Sequence, residues 1–151
     1  MRRRCARSWP TAGVSMANRN AAKGARWERA ITMFLREWLG ERAVIKPRQE
    51  GYVDKGDIHV SPFVIQAKDE AAHNFSGYVR DAEKQAEAAG EEYGVAVVKR
   101  RTVGPGLAYA VMTLATFRRV VVRLRRAEGL LARYCPEVFH EIHLKEIEKE
   151  K

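Results

Sequence analysis

The chain has 151 residues, enough for one compact domain with some length to spare, and its 46% hydrophobic and 31% charged content excludes a wholly disordered protein. Twenty-eight Lys and Arg against nineteen Asp and Glu leave a net +9, which suits a polyanionic partner, nucleic acid before acidic lipid. Two cysteines, Cys5 and Cys135, are too few for a disulfide framework or a four-cysteine zinc site, and no apolar run approaches the roughly 20 residues of a membrane span, so a cytoplasmic protein without membrane association is expected.

Residues 1–17 mix Arg, Ser, Pro and Gly without periodicity and are expected to form a basic, disordered tail. A helix is expected from Asn18 or Asn20, either of which can cap it, because Trp27, Ile31, Phe34, Leu35 and Trp38 make one broad apolar stripe that Gly40 ends. Residues 43–47 read as a strand stopped by Pro47, and 49–56 are rich in turn formers. Two strands, 56–60 and 63–68, flank a reversal at Ser61-Pro62. A loop from His73 leads into an Ala- and Glu-rich helix over 78–89, closed near Gly90. Strands at 95–100 and 108–114 are joined by the turn VGPG, and a basic amphipathic helix follows from Leu114 to Tyr134, with a charged helical end after it. This order predicts an α/β domain around a mixed sheet flanked by helices.

The reversal at Ser61-Pro62 carries the first chemical signal. Symmetric pairing about it sums to 123, so Asp57 faces Gln66, and alternation along the second strand adds Lys68 to the same face. Phe63, Ile65 and Ile58 then face the core. An acid, an amide oxygen and an ammonium gathered there make a hard-cation site beside a phosphate. The alternative is a pair of exposed polar residues on the solvent side of a hairpin. On the first helix, Glu28 falls in line with Ile31 and Leu35, so it needs either a metal or a cationic partner such as Arg26, Arg29 or Lys68.

The string KGARWERAITMFL, then GDI, then VIQAK, then a helix bearing Gln85, then VAVV resembles the PD-(D/E)XK nuclease superfamily, and within it the archaeal-type Holliday-junction resolvases and their phage relatives. The resemblance covers about residues 18–115, carried by Lys23-Gly24, Glu28-Arg29, Asp57 and Lys68 in that order. It implies a restriction-endonuclease-like mixed sheet over 18–116, with 117–151 as a C-terminal helical extension that has no counterpart. It implies a Mg²⁺-dependent endodeoxyribonuclease, with Mn²⁺ able to substitute, acting as a homodimer on four-way DNA junctions. Carried over by position, Glu28 and Asp57 would organise the metal and Lys68 would be the catalytic lysine. Gln66 stands where the family has its second carboxylate, so the metal would bind more weakly.

Candidate DNA contacts are Lys23, Arg29, Gln85 and the run Lys99-Arg100-Arg101, with the arginines at 118, 119, 123, 125 and 126 as a further basic group. Solvated helix faces explain such arginines as well. Glu50 and Glu70 could stand in for the missing carboxylate. The spacing of Cys135, His140 and His143 lacks the two ligand pairs of a zinc finger. Two alternatives stay open: a repair or restriction-like nuclease on linear duplex, and a non-catalytic DNA-binding protein on the same scaffold, which Gln66 favours.

Overall fold

The computed structural model describes residues 16–47 and 53–140; residues 1–15 of the expected tail, Glu50 and His143 lie outside them, while Met16 and Ala17, also assigned to that tail, open the first helix. Helix α1 (Met16–Leu39) ends where Gly40 turns to φ +83°, as its sequence implies. The four strands are β1 (Ile58–Val60), β2 (Phe63–Lys68), β3 (Tyr93–Val98) and β4 (Tyr109–Val111), hydrogen-bonded in that order in one sheet. β1 and β2 are antiparallel and β2 and β3 parallel, so the sheet is mixed. The parallel pair needs a crossover, and α2 (Phe75–Ala89) supplies it. Asn74 caps α2 by accepting the Gly77 N–H at 3.1 Å, and Gly90 closes it in the left-handed conformation.

One face of the sheet carries Ile58 and Ile65, packed with Trp27 and Ile31 of α1 and with Val44. Burying each such side chain contributes about 1.5–3 kcal/mol, so the cluster together rivals the whole stability of a domain. A one-residue slip of the hairpin would turn Ile58 and Ile65 away from this cluster, which is why the register is firmly held. The opposite face carries Val64, Gln66 and Gly94 and packs against α2. Gly94 is needed there: a Cβ on it would stand 2.2 Å from the Ala82 carbonyl oxygen of α2.

The segment at 43–47 is not a strand. Residues Glu41–Ala43 form a short 3-10 turn, and only Ile45 pairs, with His59, through two main-chain bonds of 2.9 and 2.7 Å. Pro47 has no N–H to extend the ladder.

The chain divides into two compact units, residues 1–110 and 111–151. The second is built on α3 (Leu114–Tyr134), whose start is capped by Thr113 accepting the Thr116 N–H at 3.1 Å. Its arginines at 118, 119, 123, 125 and 126 are exposed, as are Phe117, Leu124 and Leu130. Among the described residues no helix is long and apolar enough to cross a membrane.

Candidate active site

The hairpin pairs Ile58 with Ile65, His59 with Val64 and Val60 with Phe63, each summing to 123 as the sequence implies. The register changes at Asp57, which corrects the expectation that it faces Gln66. Its N–H donates to the Ile65 carbonyl at 3.1 Å, so Asp57 and Ile58 stand together against one residue of β2. Its carboxylate Oδ2 then accepts the Ala67 N–H at 2.7 Å, where a regular ladder would offer a main-chain carbonyl.

The slip originates one residue earlier. Gly56 has φ +89°, and a Cβ on it would lie 2.3 Å from Val64 Cγ1, so no other residue fits without displacement. Asp54 braces this turn: Oδ1 accepts the Gly56 N–H at 3.0 Å and Oδ2 accepts from Gln85 Nε2 at 2.7 Å. Gln85 is therefore a buried brace of the turn that delivers Asp57, not an exposed DNA contact. Its Oε1 is also buried and has no hydrogen-bond partner among the described residues.

Burial pushes the Asp57 carboxyl above its ordinary value; the Ala67 N–H opposes the shift, the charges of Glu28 and Asp54 add to it, and Lys68 counteracts it. Residues from α1, the turn and β2 thus share one electrostatic environment. The charged form of Asp57 is disfavoured there, chiefly by burial, and a bound cation would favour it. Gln66 is 6% exposed and its Oε1 lacks a hydrogen-bond partner among the described residues. A buried orphan acceptor costs about 1–3 kcal/mol, so it too asks for a donor or an ion. Lys68 Nζ lies 5.3 Å from the centre of the Tyr78 ring. Contact with Glu70, then burial, raise the Tyr78 hydroxyl above its ordinary value; Glu70 is thereby engaged on α2.

Glu28 has a partner the sequence argument did not name. It meets Lys46 at 2.8 Å instead of Arg26, Arg29 or Lys68. Among the described residues no three His, Cys, Asp or Glu side chains stand together as an ion-holding group. The Asp57 carboxylate and a Glu28 carboxylate that would exchange Lys46 for the ion are oxygen donors suited to a hard divalent cation, whereas the orphaned Gln66 oxygen belongs to the sheet face that packs against α2, opposite the face that packs α1. His73 stacks on Phe75 beside the Asn74 cap, and Cys135 and His140 are exposed.

A residue missed in the sequence organises the basic groups. The Asp69 side chain is only 2% exposed and meets Lys99 at 2.9 Å, Lys23 at 3.3 Å and Arg101 at 3.6 Å. Burial alone would raise its carboxyl, but the bonds from Lys99 and Lys23 outweigh this and the net shift is downward. Arg29 is exposed on α1, and Arg100 lies over the Tyr109 ring at 5.2 Å. The signal for Asp69 was its place directly after Lys68, at a strand end beside a second lysine-ended strand. No protein-family model matches the sequence, and neither a curated protein nor a solved structure does.

Proposed function

We propose that the chain is a divalent-metal-dependent endodeoxyribonuclease that cuts the phosphodiesters of four-way DNA junctions, working as a cytoplasmic homodimer. The observation that carries this reading is the buried carboxyl of Asp57, held by the Ala67 N–H at a slipped strand end and within the electrostatic reach of Glu28, Asp54 and Lys68. The buried, unsatisfied Gln66 oxygen on β2 supports it. Asp57, Gln66 and Glu28 would hold Mg²⁺, or Mn²⁺ in its place, and the bound ion would polarise a phosphate oxygen and acidify a water. Ala67 holds the Asp57 carboxylate in one orientation through its N–H. Lys68 would offset charge that develops on the phosphoryl group as the bond breaks.

A non-catalytic DNA-binding protein is the second reading, favoured by the Glu28–Lys46 pair and by an amide in place of an acid at Gln66. One assay separates the possibilities. The full chain is incubated with a labelled four-way junction, a linear duplex and a flap, with Mg²⁺ or with EDTA. Symmetric cuts near the branch point support the resolvase. Cutting of all three substrates makes it a general repair or restriction-like nuclease, and binding without cutting makes it a binder. Lys68→Ala is expected to abolish cutting with little loss of binding; cutting that survives removes Lys68 from this role.

A further inference from the structure

Beside the site lies a cleft of about 600 Å³ between α1, which contributes Asn20, Lys23 and Gly24, and the connection after β2, which contributes Asp69 to Ala72. Lys68 reaches its edge. Asp69 and Lys23 line the cleft, and Lys99 and Arg101, which are not part of the lining, reach the same Asp69 carboxylate from beside it.

Two independent features of this cleft have no explanation inside the protein. The first is charge. Lys23, Lys99 and Arg101 converge on Asp69, and with Lys68 and Glu70 of the lining counted, four cations stand against two acids, a local surplus of two positive charges. Lys99 donates to Asp69 Oδ2 at 2.9 Å while Oδ1 has no hydrogen-bond partner among the described residues, so most of the roughly eleven N–H donors carried by the three cations are not spent on Asp69. The burial is uneven in the same sense. The Asp69 side chain is 2% exposed, whereas those of Lys23 and Lys99 each keep 32% and that of Arg101 keeps 55%. The acid is a buried base, and the cations form a solvent-facing rim. Lys99 is further fixed over the Trp27 ring, 5.2 Å from its centre, so the rim is pre-organised.

The second feature is Gly24. It sits in the interior of α1, where glycine is the poorest residue short of proline. Its backbone is helical, and a Cβ added to it would meet nothing within 4 Å. Neither conformation nor packing requires a glycine there. A missing side chain that faces open space in a cleft makes room for something from outside.

We infer that this cleft seats one backbone phosphate of a nucleic-acid strand, clamped by Lys23, Lys99 and Arg101, with the strand passing over the notch at Gly24. Asp69 acts as a positioning residue that holds the three cations together. The inference rests on the DNA reading above and adds where the strand lies next to Lys68. A phosphodiester suits the rim because its single negative charge is spread over oxygens that accept from several donors at once.

The test measures binding of a labelled duplex to the full chain by fluorescence anisotropy in EDTA, across a range of salt. Lys23→Gln should reduce the slope of log affinity against log salt by about one unit, as loss of one phosphate contact requires. Arg80→Gln, whose guanidinium pairs with Asp81 away from the cleft lining, should leave the slope unchanged. Gly24→Leu keeps every charge and favours the helix, so its melting temperature should hold or rise while affinity falls at least tenfold. Wild-type binding with Lys23→Gln and Gly24→Leu both unaffected overturns the phosphate seat and leaves the nuclease reading standing. A wild-type chain that binds no duplex and no junction overturns both.

Discussion

Gln66→Glu restores the second carboxylate that the resemblance expects, and its consequences follow from burial. The side chain is 6% exposed, its oxygen has no hydrogen-bond partner among the described residues, and burial raises the Asp57 carboxyl at the end of the adjoining strand. A new charge at this position without a counter-ion costs about 3 kcal/mol, the low end of what an unpaired buried charge costs. In a chain of this length that lowers the melting temperature by roughly 9 °C in EDTA. A cation present at a hundredfold excess over its dissociation constant returns about 2.7 kcal/mol, close to the whole loss. The expected result is therefore a variant that is fragile in EDTA and near wild type in millimolar Mg²⁺, with a larger metal-induced shift than the parent chain. Differential scanning fluorimetry across a Mg²⁺ titration reads both numbers. A variant as stable as wild type in EDTA would mean the side chain escapes to water. Fragility that Mg²⁺ fails to relieve would mean no ion is held at this position, and either result refutes the metal assignment of Gln66.

Gly94→Ala tests the packing that seats α2 on the sheet. The added Cβ would meet main-chain atoms of Ala82 at 2.2 and 2.3 Å, so α2 must move, and a loss of about 3 kcal/mol is expected in urea unfolding. Asp69 makes a pH prediction with a definite sign. Its folded carboxyl lies below the ordinary 3.8, so its ion pairs with Lys23, Lys99 and Arg101 contribute fully above that value and are lost as pH falls through the lower folded one. Asp69→Asn should therefore be less stable than wild type at neutral pH but lose less on acidification below 3.8; parallel melting curves from pH 7 to strong acid would show that the cations do not depend on it.

The elements legible in the sequence were those whose pattern repeats. The stripe from Trp27 to Trp38 announced α1, and the paired apolar positions at Ile58 and Ile65 announced the hairpin register. Thr113 and Tyr134 bracket α3 where the amphipathic run begins and ends. Candidate-site residues were named where a residue type stands out, as with Asp57, Gln66, Lys68 and Glu28. Their partners were harder to read because they depend on contacts distant in sequence. Lys46 reaches Glu28 from across the first loop, and Gln85 reaches Asp54 across 31 positions. The change of register at Asp57 was hidden for another reason. It comes from the conformation of Gly56 and its collision with Val64, and periodicity carries no trace of a single residue that leaves the pattern.

The bond from Ala67 to Asp57 has a practical consequence for the variant used to test the proposed reaction. Because a side chain has replaced a rung of the hairpin, deleting it damages the architecture along with any chemistry proposed for Asp57. An inert decoy should therefore carry asparagine at this place, which retains an oxygen to receive the N–H. An alanine decoy would confuse a lost reaction with a frayed strand.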